Sequence, residues 1–185
     1  MAAVHPARRA LLLAGLGTAA GVRAADESSA EYQVKAAFVC KFGNYVEWPA
    51  HALGAASDPF RIGVLATSAV AEEFRRIAAA TVVSWRHVEV RRLARGEAPE
   101  GVHVVFVSRG MSSVAGEVIA AAHGRPVLTV TELDPGAMTG TAGMINFVLV
   151  DDKVRFDIQL PPALQSGLKI SARLLGVARR VEGRS

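Results

Sequence analysis

Apolar and polar positions follow two different rhythms along this chain. Tyr32, Lys35, Ala36, Val39, Phe42 and Val46 recur at spacings of three and four, which predicts one buried face of a helix over residues 30–46. Ser28 or Ser29 offers a cap, and Pro49 stops the helix because the residue before a proline avoids the helical region. The segments 60–65, 102–108 and 127–130 are short, almost unbroken apolar runs, the signature of strands covered on both faces. Residues 87–92 alternate instead and predict a strand exposed on one face. Residues 68–79 and about 112–123 carry helical spacing, with serines at their starts.

The last third of the chain is the most regular. Met144 to Val150 and Lys153 to Leu160 alternate on either side of Asp151-Asp152, which predicts a β-hairpin. A two-residue turn would set Val150 against Lys153, Leu149 against Val154, Phe147 against Phe156 and Ile145 against Ile158, with the apolar pairs on one face. The other face would carry Met144, Asn146, Val148, Arg155, Asp157 and Gln159. Pro161-Pro162 then opens a predicted C-terminal helix with Leu164, Leu168, Leu174, Leu175 and Ala178 as its buried stripe and Arg179 and Arg180 at its end. The order of elements predicts an α/β protein. It would be a single three-layer domain, a mostly parallel sheet with helices on both faces and a C-terminal antiparallel hairpin plus helix. No repeat and no long linker divides residues 25–185.

Charge changes the picture only at the N-terminus. The 185 residues carry 21 basic and 17 acidic side chains, a formal charge of +4. Arg8 and Arg9, an apolar run from Ala10 to Gly21 and Val22-Arg23-Ala24 read as an export signal over residues 1–24, cleaved after Ala24. The run is too short to span a bilayer, and Sec and twin-arginine export both stay open. Its removal takes away Arg8, Arg9 and Arg23 and no acid, which leaves +1. A bulk-charge case for nucleic acid then fails, and the expected location is the bacterial periplasm.

Catalytic chemistry is not announced. No nucleophile elbow, phosphate-binding loop, zinc-protease pair or dinucleotide fingerprint occurs. His51, His87, His103 and His123 are scattered, so no metal site and no cofactor are expected. Cys40 is the single cysteine; it excludes an internal disulfide and reads as an inert helix thiol. Trp48, beside Pro49, has two readings, as packing over the sheet edge or as an aromatic surface for a partner. The hairpin face with Asn146, Arg155, Asp157 and Gln159 has two as well, as a solvated face or as a recognition surface, the latter favoured by the interleaved Met144 and Val148.

Three blocks carry a resemblance. Ala30-Glu31-Tyr32-Gln33-Val34-Lys35-Ala36-Ala37-Phe38 with Lys41-Phe42 and Tyr45-Val46-Glu47-Trp48-Pro49 resembles the opening of YfiR family proteins. Gly143-Met144-Ile145-Asn146-Phe147 with Val154-Arg155-Phe156-Asp157-Ile158, and the closing Gly167-Leu168-Lys169-Ile170-Ser171 with Leu174-Leu175, match the same family. The resemblance implies a dimeric periplasmic protein without enzymatic activity that represses a membrane-bound diguanylate cyclase through its periplasmic sensor domain, restraining cyclic di-GMP and biofilm. Relatives in that role often use cysteine pairs, and Cys40 alone removes redox control by an internal disulfide. Asp157 also stands where a glutamate is common, and Gln159 where an asparagine is.

The expected function is therefore a non-catalytic regulator that binds and inhibits an inner-membrane signalling protein, a diguanylate cyclase or a sensor kinase. Its partner-binding residues would be Trp48, Asn146, Arg155, Asp157 and Gln159. The second reading is a periplasmic small-ligand-binding domain serving a transport or sensor-kinase system, with Thr67, Arg109 and Thr131 at the strand ends. A homodimer and a small-molecule ligand stay open.

Overall fold

The computed structural model describes residues 19–133 and 142–183, with side chains from Ser29 onward. Most of the expected export signal and residues 134–141 of the expected loop lie outside the described residues. The first helix, α1, spans Ala19–Phe42. It starts upstream of the expected position and runs through the expected cleavage point, with no proline between its ends to interrupt it. It also stops earlier than expected. A short 3-10 turn at Gly43–Tyr45 leads into strand β1, Val46–Glu47. Gly43 sits so close to its neighbours that a Cβ there would meet Val83 at 2.7 Å and Phe60 at 2.9 Å.

Strand β2 is Phe60–Leu65, helix α2 Ser68–Ala78, strand β3 Val82–Val83 and strand β4 Arg86–Arg92. Thr67 rather than Ser68 caps α2, its hydroxyl accepting from Val70 N. Strand β5 is Val104–Val107, helix α3 Ala115–Ala122, strand β6 Leu128–Thr131 and strand β7 Ile145–Val150. Strand β8 is Lys153–Gln159 and helix α4 Leu160–Gln165. The chain closes with strand β9, Lys169–Ile170, helix α5, Ala172–Val177, and strand β10, Arg180–Glu182.

Eight strands form one sheet in the order β10-β8-β7-β6-β5-β2-β4-β3, and β1 pairs with β9 apart from it. The strands from β4 to β7 are parallel, β8 returns antiparallel, and β10 lies parallel outside it. Helices α1 and α2 pack on one face around Ile62, Val64, Val104 and Phe106, while α3 covers Val105 and Val107 on the other. The predicted α/β three-layer class holds. The predicted hairpin register holds pair by pair from Ile145–Ile158 to Val150–Lys153, and Asp151 and Asp152 both take the left-handed conformation that a tight two-residue turn needs. Phe147 and Phe156 then meet Phe38 and Phe42 of α1, with ring centroids 5.2–6.2 Å apart.

The predicted single C-terminal helix is corrected. Gly167 adopts φ +72°, Leu168 N donates to Ala163 O and Gly167 N to Leu164 O, the paired bonds of a Schellman stop. The chain past that stop pairs β9 with β1, Val46 against Ile170, and Ser171 starts α5 afresh by accepting from Leu174 N. Leu168 and Leu174 are buried as expected, but Leu164 is exposed, and Arg180 lies in a strand rather than at a helix end.

One turn violates local preference. Ser84 and Trp85, between β3 and β4, take φ +49° and +66°. Left-handed backbone costs an L-residue about 1–2 kcal/mol, and this turn type favours Asn-Gly. The double substitution Ser84→Asn/Trp85→Gly should raise stability by about 1 kcal/mol or more in urea unfolding, with the rest of the fold unchanged.

Candidate functional site

The carboxyl ends of the parallel strands gather most of the buried charge. Lys35 belongs to the inward face of α1 and is 1% exposed, and Glu132, just after β6, is buried with it. Lys35 Nζ lies 2.8 Å from Glu132 Oε1, at an angle too bent for an aligned hydrogen bond, and also contacts the Glu31 carboxylate one turn earlier. Glu132 Oε2 accepts from Arg109 N at 2.8 Å and from the Tyr32 hydroxyl at 3.2 Å. Burial first, and the Glu132 charge second, push the Tyr32 hydroxyl well above its usual range, so it stays a donor. Arg109 reaches toward Glu31 at 3.9 Å. Two acids and two bases thus close on themselves, as buried charge requires.

Beside this cluster a cleft of about 370 Å³ opens between the ends of β2 and β5, lined by Ser29, Tyr32, Thr67, Val70, Glu73 and Ser108. The crossover from β2 runs through α2 on one face and that from β5 through α3 on the other. The gap between them is the switch point at which doubly wound sheets take ligands. Of the strand-end residues expected there, Thr67 lines the cleft, whereas Arg109 does not, although its neighbours Ser108 and Gly110 do. Thr131 is absent from the lining as well: its buried hydroxyl donates to Asn146 Oδ1 at 2.8 Å and accepts from Gly143 N at 2.9 Å.

The residues expected to bind a partner are dispersed. Asn146 is 9% exposed and faces inward. Its Oδ1 also accepts from Leu133 N at 2.8 Å, and its Nδ2 donates to Leu133 O at 3.0 Å, so it brackets β6 to β7. Met144 and Val148 are buried too, so the face expected to be open is closed along β7. It is open along β8. Arg155 is exposed, Asp157 and Gln159 are half-buried, and β10 sets Arg180 level with Asp157 and Glu182 level with Gln159. Arg179 Nε donates to Asp157 Oδ1 at 2.7 Å while its other arm grips Oδ2, and this bond raises the Arg179 pKa further. No described helix covers this outer face of β8. Trp48 is half-buried and apart from them; its indole donates to Gly43 O at 3.1 Å and meets Phe60 edge-on at 5.4 Å.

The sequence reading missed Lys35 and Glu132 as a pair. The available signal was a lysine inside the apolar stripe of α1. Cys40 is buried, and burial pushes its thiol up to about 11, which makes it a poor nucleophile. Among the described residues no cluster of three metal-ligating side chains occurs, and no helix is long and apolar enough to cross a membrane.

His103 is buried against Phe60, ring on ring at 4.7 Å. Its Nδ1 accepts from Arg61 N at 2.9 Å, so its Nε2 must donate to Ala52 O at 3.1 Å, which fixes the neutral tautomer.

Two stability predictions follow from these groups. Lys35→Met strands the Glu132 charge and should destabilise by about 3–5 kcal/mol, whereas Lys35→Met/Glu132→Gln, which keeps acceptors for Arg109 N and Tyr32, should cost less than that single change in the same melts. Burial holds the His103 pKa below 6.5, aided by the charges of Arg61 and Arg86 and only partly offset by the Ala52 bond. Its stabilising contribution is therefore full above pH 6.5 and lost as pH falls from there through the lower folded value. His103→Gln, which can keep both bonds, should flatten the stability profile over that window.

No curated protein matches the chain. A family model described as YfiR/HmsC-like matches residues 32–179, a span from Tyr32 of the buried cluster to Arg179 at the open face of β8. The chain therefore belongs to the YfiR/HmsC-like family of periplasmic regulatory proteins.

Proposed function

We propose that the protein is a non-catalytic periplasmic regulator that docks on the periplasmic sensor domain of an inner-membrane diguanylate cyclase and inhibits it. Export with cleavage after Ala24 would deliver it to that compartment. The observation that carries the docking site is the uncovered outer face of β8 and β10. Both faces of the central strands lie under helices, but Arg155, Asp157, Gln159, Arg180 and Glu182 share one polar face of a two-strand edge, where Asp157 pairs with Arg179, Arg180 with Glu182 at 3.2 Å, and Arg155 has no ion-pair partner among the described residues. Such a surface gives a partner specific charge complementarity with little apolar exposure. Inhibition follows if the sensor domain's inactive state binds this face more tightly than its active state, since a ligand shifts an equilibrium only by differential affinity. Within this reading Asn146 bounds the face on its β7 side and Trp48 serves packing. A homodimer is compatible with it, because the cleft and the cluster lie at the strand ends and leave the β3 edge of the sheet free of both.

Arg155→Glu tests the proposal. Exposed substitutions move stability by about 0.5 kcal/mol or less, so melting should be unchanged. Cyclic di-GMP in cells carrying the variant should rise toward the level of a deletion strain. Unchanged cyclic di-GMP with normal protein abundance would favour the second reading, a ligand-binding domain serving a transport or sensor-kinase system. The switch-point cleft of about 370 Å³ supports that reading.

A further inference from the structure

The strained turn between β3 and β4 presents the most exposed large hydrophobic side chain among the described residues. Trp85 is 98% exposed, and Val82 beside it is 56% exposed. The tip is held from beneath. Asn44 Nδ2 donates to Val82 O at 2.9 Å and Asn44 Oδ1 accepts from Ser84 N at 3.1 Å. Val83 is buried in the core, and the Arg86 guanidinium donates to Ala55 O and Asp58 O. The indole is thus displayed by a braced hairpin whose backbone conformation a glycine would occupy with less strain.

Several occupants fit the chemistry of this tip poorly. Asn44 already uses Val82 O and Ser84 N, so an added strand finds this end of the edge capped. A protein interface of standard size needs about 800 Å² per partner with apolar residues ringed around a central anchor. Here the tip offers one indole and one valine, with the polar Ser84 and Asn44 beside them. The composition fits a lipid headgroup layer better. An indole combines a flat apolar body with one N–H donor, the combination that concentrates tryptophan at membrane interfaces. Between Ala78 and Val88 the ionisable residues are Arg86 and His87, with no acid; Asp58, which the fold brings beside Arg86, turns its carboxylate to Ala55 N, so the positive charge of Arg86 and the exposed His87 ring set the sign at the tip. Glu89, the next carboxylate along the strand, lies 3.3 Å from Arg61.

We infer that the β3–β4 tip is a membrane-contact point, with Trp85 entering the headgroup layer of an anionic bilayer. The contact is weak and reversible, and it holds the protein near the surface from which a membrane partner projects. It does not depend on the β8 docking face, which another edge of the sheet carries.

Vesicles of phosphatidylcholine with and without phosphatidylglycerol test this on the full chain, by co-sedimentation and tryptophan emission. Trp85→Ser is the matched control, so that the Trp48 signal and binding by any other segment cancel. The expected result is a blue shift and co-sedimentation with the anionic vesicles, both reduced several-fold in Trp85→Ser and in Ser84→Asn/Trp85→Gly, although the latter melts higher. Three results would overturn the inference: no partition into anionic vesicles, partition unchanged by Trp85→Ser, or self-association without lipid that disappears in Trp85→Ser. The last would assign the tip to a second copy of the chain.

Discussion

The buried Lys35–Glu132 pair is the interaction on which the rest of the architecture turns. It joins the middle of α1 to the end of β6, and through Arg109 N it also fixes the segment that follows β5. A lysine and a glutamate out of water are costly alone, so each tolerates only an arrangement in which the other is present. That makes the pair a device for register more than for net stability. A slide of helix α1 by one turn would leave both charges unmatched, a larger penalty than repacking its apolar stripe. With α1 fixed there, Phe38 and Phe42 fall on Phe147 and Phe156, and the inner face of the hairpin is sealed.

Sealing one face of the hairpin defines what the other can do. Helix α3 protects β5 and β6 but stops short of β8, and Asn146 uses its whole side chain to bind β6 and the segment after it. The open surface is therefore narrow, charged and rigid, set at one edge of the sheet. The switch-point cleft lies at the strand ends and the Trp85 tip at the opposite edge, so three surfaces of different chemistry share one domain without overlapping.

How much of this could be read in the residues depended on range. The hairpin was legible to the residue because a two-residue turn and a two-residue side-chain period leave one consistent pairing. The parallel strands were legible as apolar runs. Asn146 was not, because its inward role depends on Thr131 of a neighbouring parallel strand, and single-strand periodicity is blind to neighbours. The C-terminal leucines fit helical spacing, and that pattern outweighed Gly167, whose left-handed backbone ends α4. Lys35 stood in the apolar stripe in plain view, but its partner lies 100 residues from Tyr32 in a segment that reads as loop.

That separation bears on how an exported chain reaches its native state. Helix α1 meets its partners on β7 and β8, and β1 pairs with β9 close to the C-terminus. A nascent or translocating chain lacking its last quarter would have no mate for β1 and no aromatic seat for α1. Contacts of such long sequence separation form late, because loop closure must precede them. The topology thus delays closure of the native fold until nearly all of the chain is available, because both ends of the polypeptide are needed to complete it.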